Sequence, residues 1–285
     1  MKQPNKKTMK KIHVWVRAVI QLLYFLFIPS AYTAAFNGVK YIFTQMGAKT
    51  HLEVTSFVAA LIVLCVYTIV FGRFFCGFAC AFGSLGDAVR ALYVFICKKL
   101  KKKPITMKAT VVKKLQVVKY FVLAIIAVTC FTGVYSKAKG FSPWDVFSML
   151  HARNFKLGGY TLGVVLLVLI VIGMCFQERF FCRVLCPMGA VFSVLPVLPF
   201  STLRRDRSEC IKGCRACTMK CPSDIELAPD TAPELSGDCF QCQKCIDTCL
   251  KGNIHTGIRA LKGNEIWYTV LRAVILLVLF KVVGL

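Results

Sequence analysis

Long apolar runs alternate with strongly cationic stretches along this chain. Four runs hold close to the roughly 20 mostly apolar residues that a helix needs to cross a bilayer core: 14–35, 54–75, 115–135 and 158–176. A fifth, 267–284, is shorter and carries Arg272 and Lys281 near its ends, where they can snorkel. At about 1.5 Å per residue it reaches roughly 27 Å, enough to span, with a helix lying in the interface as the alternative. The pattern predicts an all-α polytopic membrane protein of four to five transmembrane helices. The first run also resembles a signal peptide, and its long apolar part reads as an uncleaved signal-anchor.

The connections sort by charge. Of 37 Lys and Arg residues, 29 fall in 1–17, 72–119 and 176–266, including the run Lys98, Lys99, Lys101, Lys102, Lys103. Loops 36–53 and 136–157 hold only six between them. Rich and poor connections alternate, so the positive-inside rule puts the N-terminus and 177–266 in the cytoplasm of a bacterial inner-membrane protein. Composition agrees with this reading. A net charge of +24 alone would suggest nucleic acid, but a chain that is 57% hydrophobic and 18% charged is not a soluble nucleic-acid binder. The partner that these numbers imply is the lipid bilayer.

Sixteen cysteines add chemistry, and none falls in an exported loop, which argues against a disulfide framework. Cys239, Cys242, Cys245 and Cys249 give C-x2-C-x2-C-x3-C, the bacterial 4Fe–4S ferredoxin run. Cys210, Cys214, Cys217 and Cys221, followed by Pro222, give the same run with one extra residue in its first gap. Three close thiolates wrap one cubane and the fourth reaches its neighbour. One cluster then takes Cys210, Cys214, Cys217 and Cys249; the other takes Cys239, Cys242, Cys245 and Cys221. Structural zinc prefers two well-separated C-x2-C pairs, so two 4Fe–4S clusters are the expected cofactors.

A second signal is an internal repeat. Residues 73–83 read RFFCGFACAFG and residues 179–189 read RFFCRVLCPMG, each at the end of an apolar run. They predict two tandem hairpin units, about 14–97 and 115–196, within a membrane domain 1–200. A small α+β ferredoxin-like domain at 201–258 and a C-terminal membrane or interfacial helix at 259–285 follow. If helical, Cys76/Cys80 and Cys182/Cys186 each lie on one helix face about 6 Å apart along the axis. Brought together by pseudo-symmetry, the four form a candidate site for an additional metal, an Fe–S centre or a dithiol pair. The alternative is that they are small buried residues, the reading given to Cys65, Cys97, Cys130 and Cys175.

These motifs together resemble the membrane ferredoxins of the NapH type and the C-terminal half of NosR-type proteins, in which paired C-x3-C-P motifs precede a two-cluster segment. Ala81 stands where the first motif's proline would be. The resemblance implies an electron carrier linking a quinol or cytoplasmic donor to a membrane or exported redox partner. The expected role is an electron-transfer subunit of an oxidoreductase complex rather than a stand-alone enzyme. A membrane redox sensor or a metalloenzyme maturation factor is the rival reading.

Other constellations count for less. His13, His51, His151 and His255 offer no pair within the membrane, so haem b is not expected. His51 and His151 read as ordinary loop residues, with an outer-face site for deprotonating a quinol, near Asp145 and Glu53, as the lesser alternative. Trp144, in the exported loop, is expected to anchor at the interface or dock a partner. No Rossmann or P-loop motif occurs.

Overall fold

The structure, a computed structural model, describes residues 6–136, 140–155, 158–208, 210–228, 232–256 and 265–285. The helices, in order, are α1 (Lys6–Phe27), α2 (Ala31–Ala48), α3 (Ser56–Phe71), α4 (Ala81–Lys99), α5 (Ala109–Leu115), α6 (Val118–Phe131), α7 (Pro143–His151), α8 (Thr161–Phe176) and α9 (Pro187–Val194). Strand β1 (Leu203–Arg205), helices α10 (Ala216–Met219) and α11 (Lys244–Thr248), strand β2 (Ile254–Thr256) and the long α12 (Glu265–Val283) complete the chain. Two π-helical turns, Phe75–Ala79 and Phe181–Leu185, join α3 to α4 and α8 to α9.

Two helical stretches, Ala109–Phe131 (α5 with α6) and α12, are each long and apolar enough to cross a membrane. The α1–α2 pair passes the same test together but is bent by 60°. Helices α3 and α8 are equally apolar and shorter, at 16 residues each. Exposed Ile62, Phe121, Ile125, Leu169 and Val278 give these helices an apolar outer surface.

The expected span 14–35 is not one helix. Pro29 lacks an N–H and disfavours helical backbone at Ile28, so α1 stops at Phe27 and a new helix starts at Ala31. Much of the expected loop 36–53 therefore belongs to α2, which packs against α3 and α6. Glycines allow that approach: a Cβ at Gly38 would strike the Phe57 carbonyl, and one at Gly47 the Phe131 carbonyl.

Two other expectations fail for one reason, burial. Trp144 neither anchors at an interface nor faces a partner; it is 8% exposed, edge-on to Phe36 at 5.1 Å, at the start of α7. Arg272 does not snorkel; it is fully buried between the rings of Phe74 and Tyr268, each 4.5 Å away, while Lys281 is exposed. Amphipathic and cationic side chains that look terminal in sequence can still be internal once helices pack.

Candidate functional site

The segment between α9 and α12 is tied off by two short antiparallel strands, with Leu203 opposite Thr256 and Arg205 opposite Ile254. Leu203, Leu227 and Ile254 form a small core with Cys239 and Cys245. Around it lie two cavities. One is lined by Cys221, Cys239, Cys242 and Cys245, together with Cys217, and by Leu203, Ile225 and Leu227 as apolar cover. The other is lined by Cys210, Cys214, Cys217 and Cys249, with Arg205 and Ile254. Helix α10 carries Cys217 and α11 carries Cys245.

The loop through Cys239–Cys245 is unusual in backbone terms. Gln241 and Gln243 both have left-handed φ values, 52° and 60°, on either side of Cys242. Non-glycine residues seldom sit there, and runs of this kind turn peptide N–H groups toward a common concavity. The N–H of Gln241 serves the Cys239 sulfur and that of Lys244 serves Cys242. Ile225 and Ser223 do the same for Cys221, and the Asn253 N–H reaches Cys249 Sγ at 3.3 Å. Arg205 points a guanidinium N–H at Cys217 Sγ, 3.7 Å away.

Burial pushes the thiols of Cys221, Cys239, Cys242 and Cys245 up from their ordinary value, and neighbouring thiols add to this for Cys239 and Cys245. Such a set ionises only with a cation to hold. The donor chemistry fits a cubane cluster in each cavity: four thiols, N–H groups directed at their sulfurs, and an apolar wall. Among the described residues, no three Cys, His, Asp or Glu side chains converge on a point suited to one metal ion. A cubane distributes its four thiolates over four irons, so its donors need not converge.

The duplicated motif folds the same way twice, and not as expected. Cys76 and Cys182 lie in the π-helical turns; Cys80 and Cys186 are extended residues capping the next helix, with φ −70° in both. The i→i+5 bonds run from Cys80 N–H to Phe75 O (2.8 Å) and from Cys186 N–H to Phe181 O (2.9 Å). The two thiols of a copy are therefore not stacked on one α-helical face. A π turn widens the helix by one residue and is a frequent mark of functional positions.

All four thiols of the quartet are buried. Burial pushes Cys182 up, and Cys80, Cys186 and Cys76 lie near enough to oppose its ionisation further. Burial raises Cys186 to about 12, although the Gly189 N–H and the Tyr32 hydroxyl, 3.8 Å from its sulfur, act against this. Phe82 and Phe181 stack beside them at 4.5 Å. Of the remaining cysteines, Cys97 and Cys130 are buried and Cys65 and Cys175 half-buried. His151 packs edge-on to Phe25 at 4.9 Å, whereas His51 is exposed.

Residues outside the cysteine pattern join the repeats to the ferredoxin-like segment. Arg73 and Arg179 occupy the same motif position, and both lie over the ring of Phe240, at 4.8 and 5.4 Å. Phe240 sits between Cys239 and Cys242 in sequence. Arg73 also bonds Gly237 O at 3.0 Å, and Lys119, buried in α6, pairs with Asp238 at 2.6 Å. Arg179 pairs with Asp87 at 2.5 Å and donates to Cys76 O and Gly77 O at 2.5 and 2.7 Å.

The next equivalent pair is Gly77 and Arg183. A Cβ at Gly77 would collide with the Phe240 carbonyl, while Arg183 bonds Pro222 O at 2.8 Å and pairs with Asp224 at 2.8 Å. At this position the first repeat touches the loop beside Cys239 and the second the loop beside Cys221. Sequence reasoning assigned none of these residues; the two arginines were visible in the repeated RFFC motif, but nothing in it told what they would meet.

Burial raises the Asp87 carboxyl, but Arg179 and then Lys244 outweigh it and hold the group well below the ordinary carboxylate range. Gln21 bonds the same carboxylate at 2.8 Å, and Lys244 pairs with both Asp87 and Glu178. On α11, Asp247 takes Arg17 at 2.7 Å and His13 at 3.0 Å from α1.

A family model described as "4Fe-4S binding domain" matches residues 54–104 and 160–198, the two stretches that hold the C-x3-C motifs. The chain is 32% identical to an uncharacterized protein of Methanocaldococcus jannaschii over 67% of each chain. It is 26% identical to the ferredoxin-type protein NapH of Haemophilus influenzae, over 71% of this chain and 68% of that one. To the regulatory protein NosR of Pseudomonas aeruginosa it is 25% identical, over 60% of this chain but only 23% of that protein. No solved structure matches.

Proposed function

This chain belongs to the NapH/NosR-type ferredoxin family, and from that premise we propose that it is a membrane-bound electron carrier with two 4Fe–4S clusters. Electrons pass between a quinol or cytoplasmic donor and a membrane or exported redox partner within a complex. The helices α1–α2, α3, α5–α6, α8 and α12 cross a bacterial inner membrane, with the N-terminus and the ferredoxin-like segment on the cytoplasmic side. The alternating cation distribution supports that orientation.

The observation that carries the reading is the pair of cavities, each lined by one complete crossed tetrad. Cys210, Cys214, Cys217 and Cys249 hold one cluster; Cys221, Cys239, Cys242 and Cys245 hold the other. When bound, the clusters supply reversible one-electron transfer. The chain's own residues set the environment. Peptide N–H groups and Arg205 stabilise the thiolates, Leu203, Leu227 and Ile254 keep water away, and Arg73, Arg179 and Lys244 balance negative charge. The quartet Cys76, Cys80, Cys182 and Cys186 is the candidate for an additional metal or Fe–S centre or a dithiol pair.

The test is anaerobic reduction of the purified protein by a quinol or by reduced ferredoxin, followed by transfer to an acceptor. Clusters that cycle with turnover support the carrier. Clusters that do not cycle, in a strain whose deletion alters enzyme expression or assembly without loss of electron flux, would establish the sensor or maturation reading instead. That rival draws support from the similarity to NosR, a regulatory protein.

A further inference from the structure

The two halves of the ferredoxin-like segment carry opposite charge. Residues 204–220 hold six cations and two acids, whereas residues 221–249 hold six acids and one cation, Lys244. The acidic half meets the helices: Asp224 pairs with Arg183, Asp238 with Lys119 and Arg73, and Asp247 with Arg17. The basic half has no such use. Arg207, Lys212 and Arg215 are exposed, and no carboxylate of the described residues pairs with any of them.

Those three cations, with Arg205 and Glu226, line a basin of ≈ 480 Å³ whose wall includes Cys210 and Cys214. Ile211 and Leu250 line the neighbouring cavity of the Cys210, Cys214, Cys217 and Cys249 tetrad, and both are exposed. Cys214 is exposed as well, whereas Cys239, Cys242 and Cys245 of the other tetrad are buried. One tetrad thus opens to the surface and the other lies inside, against the repeats. Exposed cations alone need no explanation, since most charged faces are simply solvated. Here they rim apolar side chains beside a ligating thiol, which is the anatomy of a protein interface: an apolar centre with a charged margin.

We propose that this basin is the docking surface for a small, soluble, acidic electron-carrier protein. Its carboxylates meet Arg207, Lys212 and Arg215, and its apolar contact falls on Ile211 and Leu250. The proposal rests on the electron-carrier reading and gives the relay an order. The Cys210, Cys214, Cys217 and Cys249 tetrad is the port to the soluble partner; the Cys221, Cys239, Cys242 and Cys245 tetrad is the inner site. Cys217 lines both cavities, so the two sites adjoin. One electron leaves the reduced carrier and enters the iron centre at the port, then passes to the inner one; no bond forms and no proton moves. A second copy of this chain would bring the same cations to the same place, which like-charge repulsion disfavours.

The experiment is equilibrium binding of a small acidic plant-type ferredoxin to the full-length protein in nanodiscs of phosphatidylcholine, a lipid without net charge. Binding is read in about 0.02 and about 0.2 M salt, and reduction of the iron centres by this ferredoxin and by a quinol is followed separately. The higher salt weakens wild-type binding about tenfold, because screening acts on exposed charges. At low salt Arg207→Glu/Lys212→Glu/Arg215→Glu weakens binding by about tenfold or more, with iron content unchanged. If that reversal lowers iron content, the milder Lys212→Gln/Arg215→Gln decides, with a loss of about threefold and full iron. Lys101→Glu/Lys102→Glu/Lys103→Glu reverses three exposed cations between α4 and α5 and leaves binding within about twofold. Equal binding by wild type and the basin variants overturns the proposal, as does an equal loss in the 101–103 variant or equally tight binding of a basic cytochrome c. Iron centres that a quinol reduces, in a protein that binds no ferredoxin, remove the docking surface and leave the carrier reading standing. Ferredoxin binding lost in the basin variants, in a protein whose iron centres no donor reduces, upholds the surface and removes the carrier reading.

Discussion

Arg179→Met separates the account of how the repeats grip the ferredoxin-like segment from the simpler view that the cysteines do all the work. In the wild type the guanidinium has no exposed surface and serves four groups: Asp87, the carbonyls of Cys76 and Gly77, and the ring of Phe240. Breaking a buried pair by removing one partner costs about 3–5 kcal/mol, because the other charge stays buried. Asp87 keeps Lys244 at 3.3 Å and Gln21 at 2.8 Å, which moves the charge part toward the lower end. The Cys76 carbonyl left without this donor adds about 1 kcal/mol, whereas Gly77 O keeps Gln21 Nε2 at 3.2 Å. The expected loss is about 4–5 kcal/mol.

Denaturant unfolding in detergent, followed by tryptophan fluorescence and by iron retention, measures it. The double variant Asp87→Asn/Arg179→Met removes the stranded charge and recovers about 2 kcal/mol relative to additivity, within the usual range for contacting residues. The depressed Asp87 carboxyl also fixes the pH behaviour. Its contribution is complete above the ordinary carboxylate value and is lost only as pH falls well below it, so the Arg179→Met deficit is constant between about pH 5 and 8. A deficit under about 1 kcal/mol, or strict additivity with Asp87→Asn, refutes the reasoning.

Other substitutions test other parts. Cys221→Ser depletes the same EPR signal as Cys245→Ser, and Cys249→Ser the same signal as Cys214→Ser; a Cys221→Ser protein that loses the Cys214 signal overturns the crossed assignment. Gly77→Ala forces a methyl against the Phe240 carbonyl, costing about 1–3 kcal/mol and lowering iron retention; unchanged stability and iron content would mean that the loop is not held there. Cys182→Ser/Cys186→Ser leaves about eight irons if the quartet holds none, and removes iron beyond the two ferredoxin-type signals if it carries a further centre.

How much of this was legible in the chain depends on the kind of residue. Cysteine spacing is local chemistry: C-x2-C-x2-C-x3-C reads the same whatever surrounds it, and the two runs of four cysteines end up around the two cavities. The RFFC repeat was equally visible, and both copies do form the same helix, π turn and extended cap. Periodicity could not show that turn, because it inserts one extra residue into an otherwise helical pattern.

Hydropathy windows also ran 14–35 together across Pro29, since Pro29–Ser30–Ala31 is hardly less apolar than its surroundings. Arg73, Arg179 and Lys119 read in sequence as topology signals and Arg272 as a snorkelling residue, yet all four are buried and bound to rings or carboxylates. Apart from Tyr268, one turn before Arg272 on α12, those partners lie many residues away in the chain, and nothing in sequence order brings them together.

The central claim, two clusters held by crossed tetrads, is tested most directly by metal and acid-labile sulfide analysis of the anaerobically purified protein, with EPR of the reduced form. Two crossed tetrads give about eight irons and eight sulfides in two cubane clusters, falling by about half in either Cys249→Ser or Cys245→Ser. Zinc in place of iron, or a single cluster that survives both substitutions, would contradict it.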